Sequence, residues 1–330
     1  MINKKELFDK TSLECSKTTT KLYSTSFSLA IRLLKKEYRD AIYAIYGFVR
    51  LADEIVDSFH NYNKVKLLNE LRYATIDSLE KKISLNPIIN SFQNTVRKYN
   101  IEWMLIESFL ESMEYDLNNK NCDDNSYKKY IKGSAEAVGL MCLHIFSHKN
   151  NGQYKELKTY AEALGSAFQK INFLRDLNDD YNGLNRIYFP NLDISKFNNS
   201  QKKIIEKDIA KDFEKGLIGI KKLDKDARKG VYLAYQYYIS LFNKIRKEDA
   251  SNILKTRIRV SNFRKMLILI KSEIILLFIS FEVSTFADRM TIYSLPIQLF
   301  VYSTLFLIFD KKYKLLINFC ILFLYNLYFI

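Results

Sequence analysis

Few breakers interrupt this chain. Across 330 residues there are nine Gly and three Pro, too few for the many tight turns of a strand-rich fold. What lies between them repeats with the period of a helix. In 39–59, Ile42, Ile45, Tyr46, Val49, Ala52 and Val56 recur every three or four positions and make one apolar face. The same style runs through 63–83, 88–117 and 127–147, the last despite Gly133 and Gly139. It resumes over 154–181, 200–222, 224–246 and about 250–285. Polar loops are expected at 118–126, with Ser126 as N-cap of the next helix, and at 147–153. An irregular segment is expected at 184–199, which holds Pro190. No alternating strand and no internal repeat is visible. The body, residues 1–288, therefore reads as one all-α domain, and the 48% apolar residues of the whole chain are enough for a sizeable core.

Several function classes lose support at once. No GxGxxG or GxxxxGK[ST] occurs, so Rossmann and P-loop nucleotide sites lack their usual signature. Cys15, Cys122, Cys142 and Cys320 form no CxxC and are far apart, as in a reduced chain. Met1–Lys10 alternates charged and apolar residues with no signal-peptide core, so a cytoplasmic location is expected. A formal charge of +14 invites a nucleic-acid reading, but the lysines are dispersed and no binding motif accompanies them.

The tail, 289–330, differs from the body. Residues 291–309 carry no charge, and 315–330 form a second apolar stretch after Asp310, Lys311, Lys312 and Lys314. The first is near the ~20 residues a spanning helix needs. Two spans would put the lysine cluster outside, against the positive-inside tendency. A hydrophobic helical tail touching the inner face of the cell membrane, as a monotopic hairpin or one tilted span, avoids that conflict; a core extension or a subunit contact is the alternative.

Two acidic pairs carry the chemistry. Asp53 and Asp57 are spaced i, i+4, and so are Asp176 and Asp180. On a helix such residues share a face, their Cβ atoms ~5–6 Å apart. Both pairs lie in apolar surroundings, where bare carboxylates are costly unless paired or metal-bound. Mg²⁺ suits them: it is hard, takes oxygen ligands, and bridges carboxylates to phosphates. Asn172 sits one turn before Asp176, and Gln169 extends the polar row. Arg50, Arg175 and Arg186 flank the pairs, as a diphosphate would require, with a structural salt bridge the equal alternative for any one of them. A third pair, Asp208 and Asp212, sits in a lysine-rich stretch and reads as a solvated face. His144 and His148 share helical spacing but lack any HExxH and any Cys at ligand spacing, so a core or surface role is expected.

These segments resemble the phytoene and squalene synthase family. Tyr23-Ser-Thr-Ser-Phe-Ser-Leu-Ala30 is similar to its SFSLA-type segment. Tyr43 to Asp57 (YAIYGFVRLADEIVD) resembles its YAFCRxxDDxVD helix, and Gly133 to Met141 (GSAEAVGLM) its VAGTVGLM stretch. Leu164 to Asp176 (LGSAFQKINFLRD), continued by Arg186-Ile-Tyr-Phe-Pro190, is similar to LGxALQxTNILRDxxED and GRIYLP. The likeness covers roughly residues 15–275, and its wording is most like bacterial phytoene synthases. It departs at Ser134-Ala135-Glu136, where an acid enters near the expected cavity, and at Lys132.

The resemblance implies an isoprenoid-synthase-type helical bundle around a central apolar cavity. It implies Mg²⁺-dependent (more than one ion, with Mn²⁺ an alternative) head-to-head condensation of two allylic prenyl diphosphates through a cyclopropyl diphosphate. In the phytoene branch the substrate is geranylgeranyl diphosphate and no NADPH is expected. By position, Asp53, Asp57, Asp176 and Asp180 would hold metal, assisted by Asn172. Ser24, Ser26, Arg50, Arg186 and Arg257 would contact diphosphate oxygens. Tyr46, Tyr188 and Tyr238 would line the ionisation site. Phe27, Val138, Leu164 and Gln169 would shape the cavity beside the prenyl chains. A squalene or dehydrosqualene type using farnesyl diphosphate is the alternative, and a non-catalytic assembly protein on the same fold is a third.

Overall fold

The computed structural model describes residues 3–118, 122–184, 186–190 and 192–270. Helices follow one another in the order α1 (Lys4–Tyr23), α2 (Thr25–Arg32), α3 (Lys36–Asp57), α4 (Lys64–Lys81), α5 (Pro87–Tyr99) and α6 (Trp103–Asn118). Then come α7 (Asp124–Ile131), a π-helical turn (Lys132–Glu136) and α8 (Ala137–Phe146). The long α9 (Asn151–Leu184) is followed by a 3₁₀ turn (Ile194–Lys196), α10 (Asn199–Lys222), α11 (Lys225–Lys247), the short α12 (Ala250–Ile253), and α13 over 262–270. No strand occurs among the described residues. None of their helices is long and apolar enough to cross a membrane. The tail expected at 289–330 lies outside the described residues.

Local chemistry explains most boundaries. Ser24 leaves helical geometry and caps both neighbours: its N–H donates to Thr20 O of α1, and its side chain accepts from Phe27 N of α2. The chain therefore turns at Ser24, which places α2 on the cavity wall. The single helix expected over 88–117 is two, because Asn100 adopts the left-handed conformation (φ 51°) and ends α5. The cap of α7 is Asp123, not Ser126; the Asp123 side chain accepts from Ser126 N. The helix expected over 250–285 is broken after Ile253 and restarts at 262.

Residues 3–32, for which periodicity suggested no element, form α1 and α2. The inward stripe of α1 is Ser12, Ser16 and Thr20, all fully buried. Ser12 and Thr20 donate to carbonyls one turn back, Phe8 O and Ser16 O, both at 2.9 Å. Ser16 Oγ lies 2.7 Å from Ser91 Oγ of α5. Small hydroxyl residues thus let α1 approach α3 and α5 closely without orphaned polar atoms.

Two apolar cores flank the centre. One joins α3, α4, α5, α6 and α8 around Phe48, whose ring stacks on Phe92 at 3.9 Å. The other joins α7, α9, α10 and α11 around Phe173, Phe213 and Phe242. Between them lies a cavity of about 960 Å³, lined from both cores. The π turn forms part of its wall. At Gly133 a Cβ would lie 2.3 Å from the Ser108 carbonyl oxygen of α6, so only glycine allows this approach. Gly133→Ala is expected to destabilise by about 1–3 kcal/mol. Gly183→Ala, in open space on α9, should be neutral or gain up to about 1 kcal/mol. Urea unfolding followed by circular dichroism compares the two.

Candidate active site

The C-terminal ends of α3 and α9 bring the acidic pairs to one mouth of the cavity. Asp53, Asp57, Asn172, Asp176 and Asp180 all line it, as do Asp116 from α6 and Gln169. Their neutralisation is uneven. Asp176 takes Arg175 in a two-point contact and receives Arg257 Nε at 2.8 Å. Asp180 has no ion pair among the described residues; burial, then Asp176 and Asp57, push it up to about 8. Asp53 keeps 32% of its side chain accessible, but it opens onto the cavity. Burial and then Asp57 push it up to about 7, although Arg50 lies 4.0 Å away. Arg50 itself is held by Glu54 and stacks 4.3 Å over the Tyr23 ring.

Behind the acids runs a buried network that the sequence reading did not identify. Asp116 accepts from Tyr130 OH at 2.6 Å and from Tyr188 OH at 2.9 Å. Burial pushes Asp116 up to about 7 despite Arg186 nearby. Both tyrosines are held well above the ordinary range, first by burial and then by Asp116, so they remain protonated donors. A signal for Asp116 existed: Phe109, Met113 and Asp116 fall on one inward stripe of α6, and an acid on such a stripe is out of place.

The apolar part fills the rest. Phe27 leans on Tyr46 and Tyr238, ring centres 5.9 and 6.0 Å apart. Tyr238 stacks on Phe168 at 3.9 Å, and its hydroxyl reaches Asn172 Oδ1 at 3.4 Å. Burial pushes Tyr46 up to about 12. Ser24, Ser26, Val138 and Leu164 complete the predicted wall.

Of the residues expected at the site, Arg186 alone does not line the cavity. It is buried, and its Nη1 donates to Asp57 Oδ1 at 2.9 Å and reaches Tyr188 OH at 3.4 Å. Its backbone N–H donates to Asp180 O. Arg186 thus joins the Asp57 side chain to the backbone of Asp180. Glu136 does not line the cavity either, although its neighbours Ser134 and Ala135 do. It sits among Glu162, Asp212 and Lys170, and burial followed by Glu162 pushes it up to about 7. Asp208 and Asp212 are not a simple solvated face: both pair with the buried Lys170, and Ser166 Oγ donates to Asp212 at 2.7 Å, clasping α9 to α10. His144 and His148 pack separately on Tyr154 and Tyr99, as expected of a core or surface role.

The donor set fits divalent cations shared with a ligand. Among the described residues no three acidic, His or Cys side chains form a protein-only metal cage. The carboxylates instead come as pairs, in each of which one member, Asp53 or Asp180, is raised by burial and then by a neighbouring acid, and Mg²⁺ characteristically combines one or two carboxylates with phosphate oxygens and water.

A model of the squalene/phytoene synthase family matches residues 20–264. A 4,4'-diapophytoene synthase of Staphylococcus haemolyticus is 28% identical over 268 residues, 74% of this chain and 90% of that protein. A 15-cis-phytoene synthase of Synechococcus elongatus is 25% identical over 284 residues, 77% and 89% of the two chains. The fold of a dehydrosqualene synthase crystal structure superposes with a TM-score of 0.70 at 22% identity, covering 81% of this chain and 97% of that one. The chain belongs to the squalene/phytoene synthase family. It is a prenyltransferase of the head-to-head type, with prenyl diphosphate substrates and divalent metal for their ionisation.

Tyr130→Phe removes the shorter donor to the buried Asp116 carboxylate. It is expected to cost about 1.5–3 kcal/mol, the worth of a hydrogen bond to a charged group, measurable by urea unfolding.

Proposed function

We propose that the chain condenses two geranylgeranyl diphosphates to phytoene, through a cyclopropyl diphosphate and without NADPH. The observation that carries this is the placing of two opposed acidic helix faces at the mouth of a large apolar cavity. At about 960 Å³ the cavity is at the upper end of the ~300–1,000 Å³ usual for small-molecule sites, as two long prenyl chains require. In this reading Asp53, Asp57, Asp176 and Asp180, with Asn172, hold Mg²⁺. Bound magnesium neutralises diphosphate and makes it a better leaving group.

The chain's own groups do the rest. Arg50, Arg175 and Arg257, with the Ser24 and Ser26 hydroxyls, orient diphosphate oxygens at the mouth. Arg186 keeps Asp57 in place. Tyr188 and Tyr130, fixed by Asp116, present hydroxyls where the leaving group departs. The Phe27, Tyr46, Phe168 and Tyr238 rings face the cationic chain, each worth ~1–2 kcal/mol when desolvated. Phe27, Val138, Leu164 and the rest of the wall keep out water, which would quench the cation to an alcohol.

A second reading takes farnesyl diphosphate to a dehydrosqualene-type product. It is favoured by the 28% identity to a diapophytoene synthase across 90% of that protein. A non-catalytic assembly role has less to recommend it, because both acidic pairs are intact. In either enzymatic reading the tail at 289–330 would hold the protein at the cytoplasmic face of the membrane.

Incubation of the purified chain with each diphosphate and Mg²⁺, with and without NADPH, tests the proposal. Phytoene from geranylgeranyl diphosphate, unchanged by NADPH, is expected. A C30 product from farnesyl diphosphate alone would favour the second reading, and no condensation with either would overturn both. Asp53→Ala and Asp176→Ala should each lower kcat by about 10²–10³-fold or more with helical circular dichroism retained. Substantial activity in the double variant would sink the assignment of these acids.

A further inference from the structure

Large apolar side chains remain exposed beside the cavity mouth. Leu22 and Tyr23, on the last turn of α1, are 79% and 50% exposed. Phe263 and Leu267, one turn apart on α13, are 56% and 46% exposed. Both groups flank one point of the rim: Lys265 Nζ donates to Thr25 Oγ1 at 3.1 Å, and Tyr23, Thr25, Asn262 and Lys265 line the cavity. The other face of α13 is already used. Leu269 is fully buried, and Met266 and Ile268 pack with it against Leu29, Leu233 and Tyr237 of α2 and α11.

Charge gives the outer face a direction. Residues 250–270 contain Lys255, Arg257, Arg259, Arg264 and Lys265 and no Asp or Glu. Arg257, Arg259 and Lys265 line the cavity at its mouth, Arg257 taken by Asp176, whereas Arg264 is exposed on α13 next to Phe263. An apolar helix face set among cations has the composition of an interfacial helix on anionic lipid. The chain outside the described residues adds to this. It continues from α13 at residue 271 and, after a segment that carries Lys271, Glu273, Glu282, Asp288 and Arg289, includes the uncharged stretch 291–309.

We infer that the end of α1 and the outer face of α13 dock on an anionic lipid bilayer, so that the cavity mouth meets the membrane surface. The inference rests on the proposed reaction for its purpose: prenyl diphosphates and a hydrocarbon product both partition into lipid, and a docked mouth spares them a passage through water.

Leu22→Trp and Phe263→Trp, made singly in the full chain, test it, with Tyr73→Trp on α4 as an exposed site elsewhere. Native Trp103 packs against the core and gives a constant background. Each variant is mixed, without substrate, with vesicles of phosphatidylcholine alone or with phosphatidylglycerol, the acyl chains brominated. Emission from the Leu22→Trp and Phe263→Trp variants is expected to shift to the blue in anionic vesicles, and to be quenched several-fold more than that from Tyr73→Trp. Adding Arg264→Glu should shrink that difference. Quenching of the Phe263→Trp variant no greater than that of Tyr73→Trp would overturn the docking and leave the tail as a tether. Shielding of the Phe263→Trp emission from aqueous iodide before lipid is added would overturn it too, because residues 271–330 or a second copy would then cover the face. No arm reads turnover, so a failed condensation assay would count against the reaction and not against the docking.

Discussion

Asp53 and Asp57 at the end of α3 and Asp180 on α9 confront one another across a mouth walled by apolar helices. Like charges in such a setting repel strongly, because the apolar walls polarise little. Protonation is one relief, and the upward displacement of Asp53 and Asp180 expresses it. A cation is the other. A soft or bulky cation would leave the oxygens underused, whereas a small divalent ion bound to diphosphate brings charge and coordination together. The destabilised acids and the family's need for divalent metal are therefore two aspects of one electrostatic arrangement.

That arrangement persists because its supports are satisfied independently of any ligand. Arg186 is buried beside Asp57, with its backbone tied to the carbonyl of Asp180, so one residue links both acidic helices. Asp116 is held by two tyrosine hydroxyls. Phe173 stacks on Tyr188 at 4.1 Å and fixes that ring in turn. Asp176, neutralised by two guanidiniums, differs from Asp180, which has none among the described residues. A diphosphate arriving there would compete with Asp176 for Arg175 and Arg257, and a cation would release Asp176 to share them.

Much of this was legible in the sequence, for physical reasons that also explain the gaps. The acidic pairs stood out because carboxylates interrupt strongly apolar helix faces. The long helices stood out because apolar residues at a 3.6 period have few other uses. α1 was silent because its buried stripe is Ser12, Ser16 and Thr20, which close packing favours and hydropathy hides. The break at Asn100 was missed because a left-handed cap needs only one residue, and periodicity continues across it. Asp116 and Tyr130 were missed because their partnership joins α6 to α7 and the segment at Tyr188, a relation with no local spacing. For Arg186 the sequence leaves a diphosphate contact and a structural ion pair equally open, and the packing shows an ion pair with Asp57.

Chain length is the property least accessible to such reading, and the architecture says why. At the mouth, chemistry fixes residue type: a metal site needs acids, and a diphosphate needs cations. At the floor, Ile31, Leu34, Phe146, Leu157 and Leu223 line the cavity while also belonging to the core that α3, α5 and α8 build. Each of these positions answers to packing first, and a volume-conserving exchange between apolar residues is tolerated at small cost. Such exchanges can shift the depth of the cavity while leaving every motif intact. Head-group recognition and hydrocarbon length are therefore encoded differently, the first in residue identity and the second in the summed shape of a wall shared with the core.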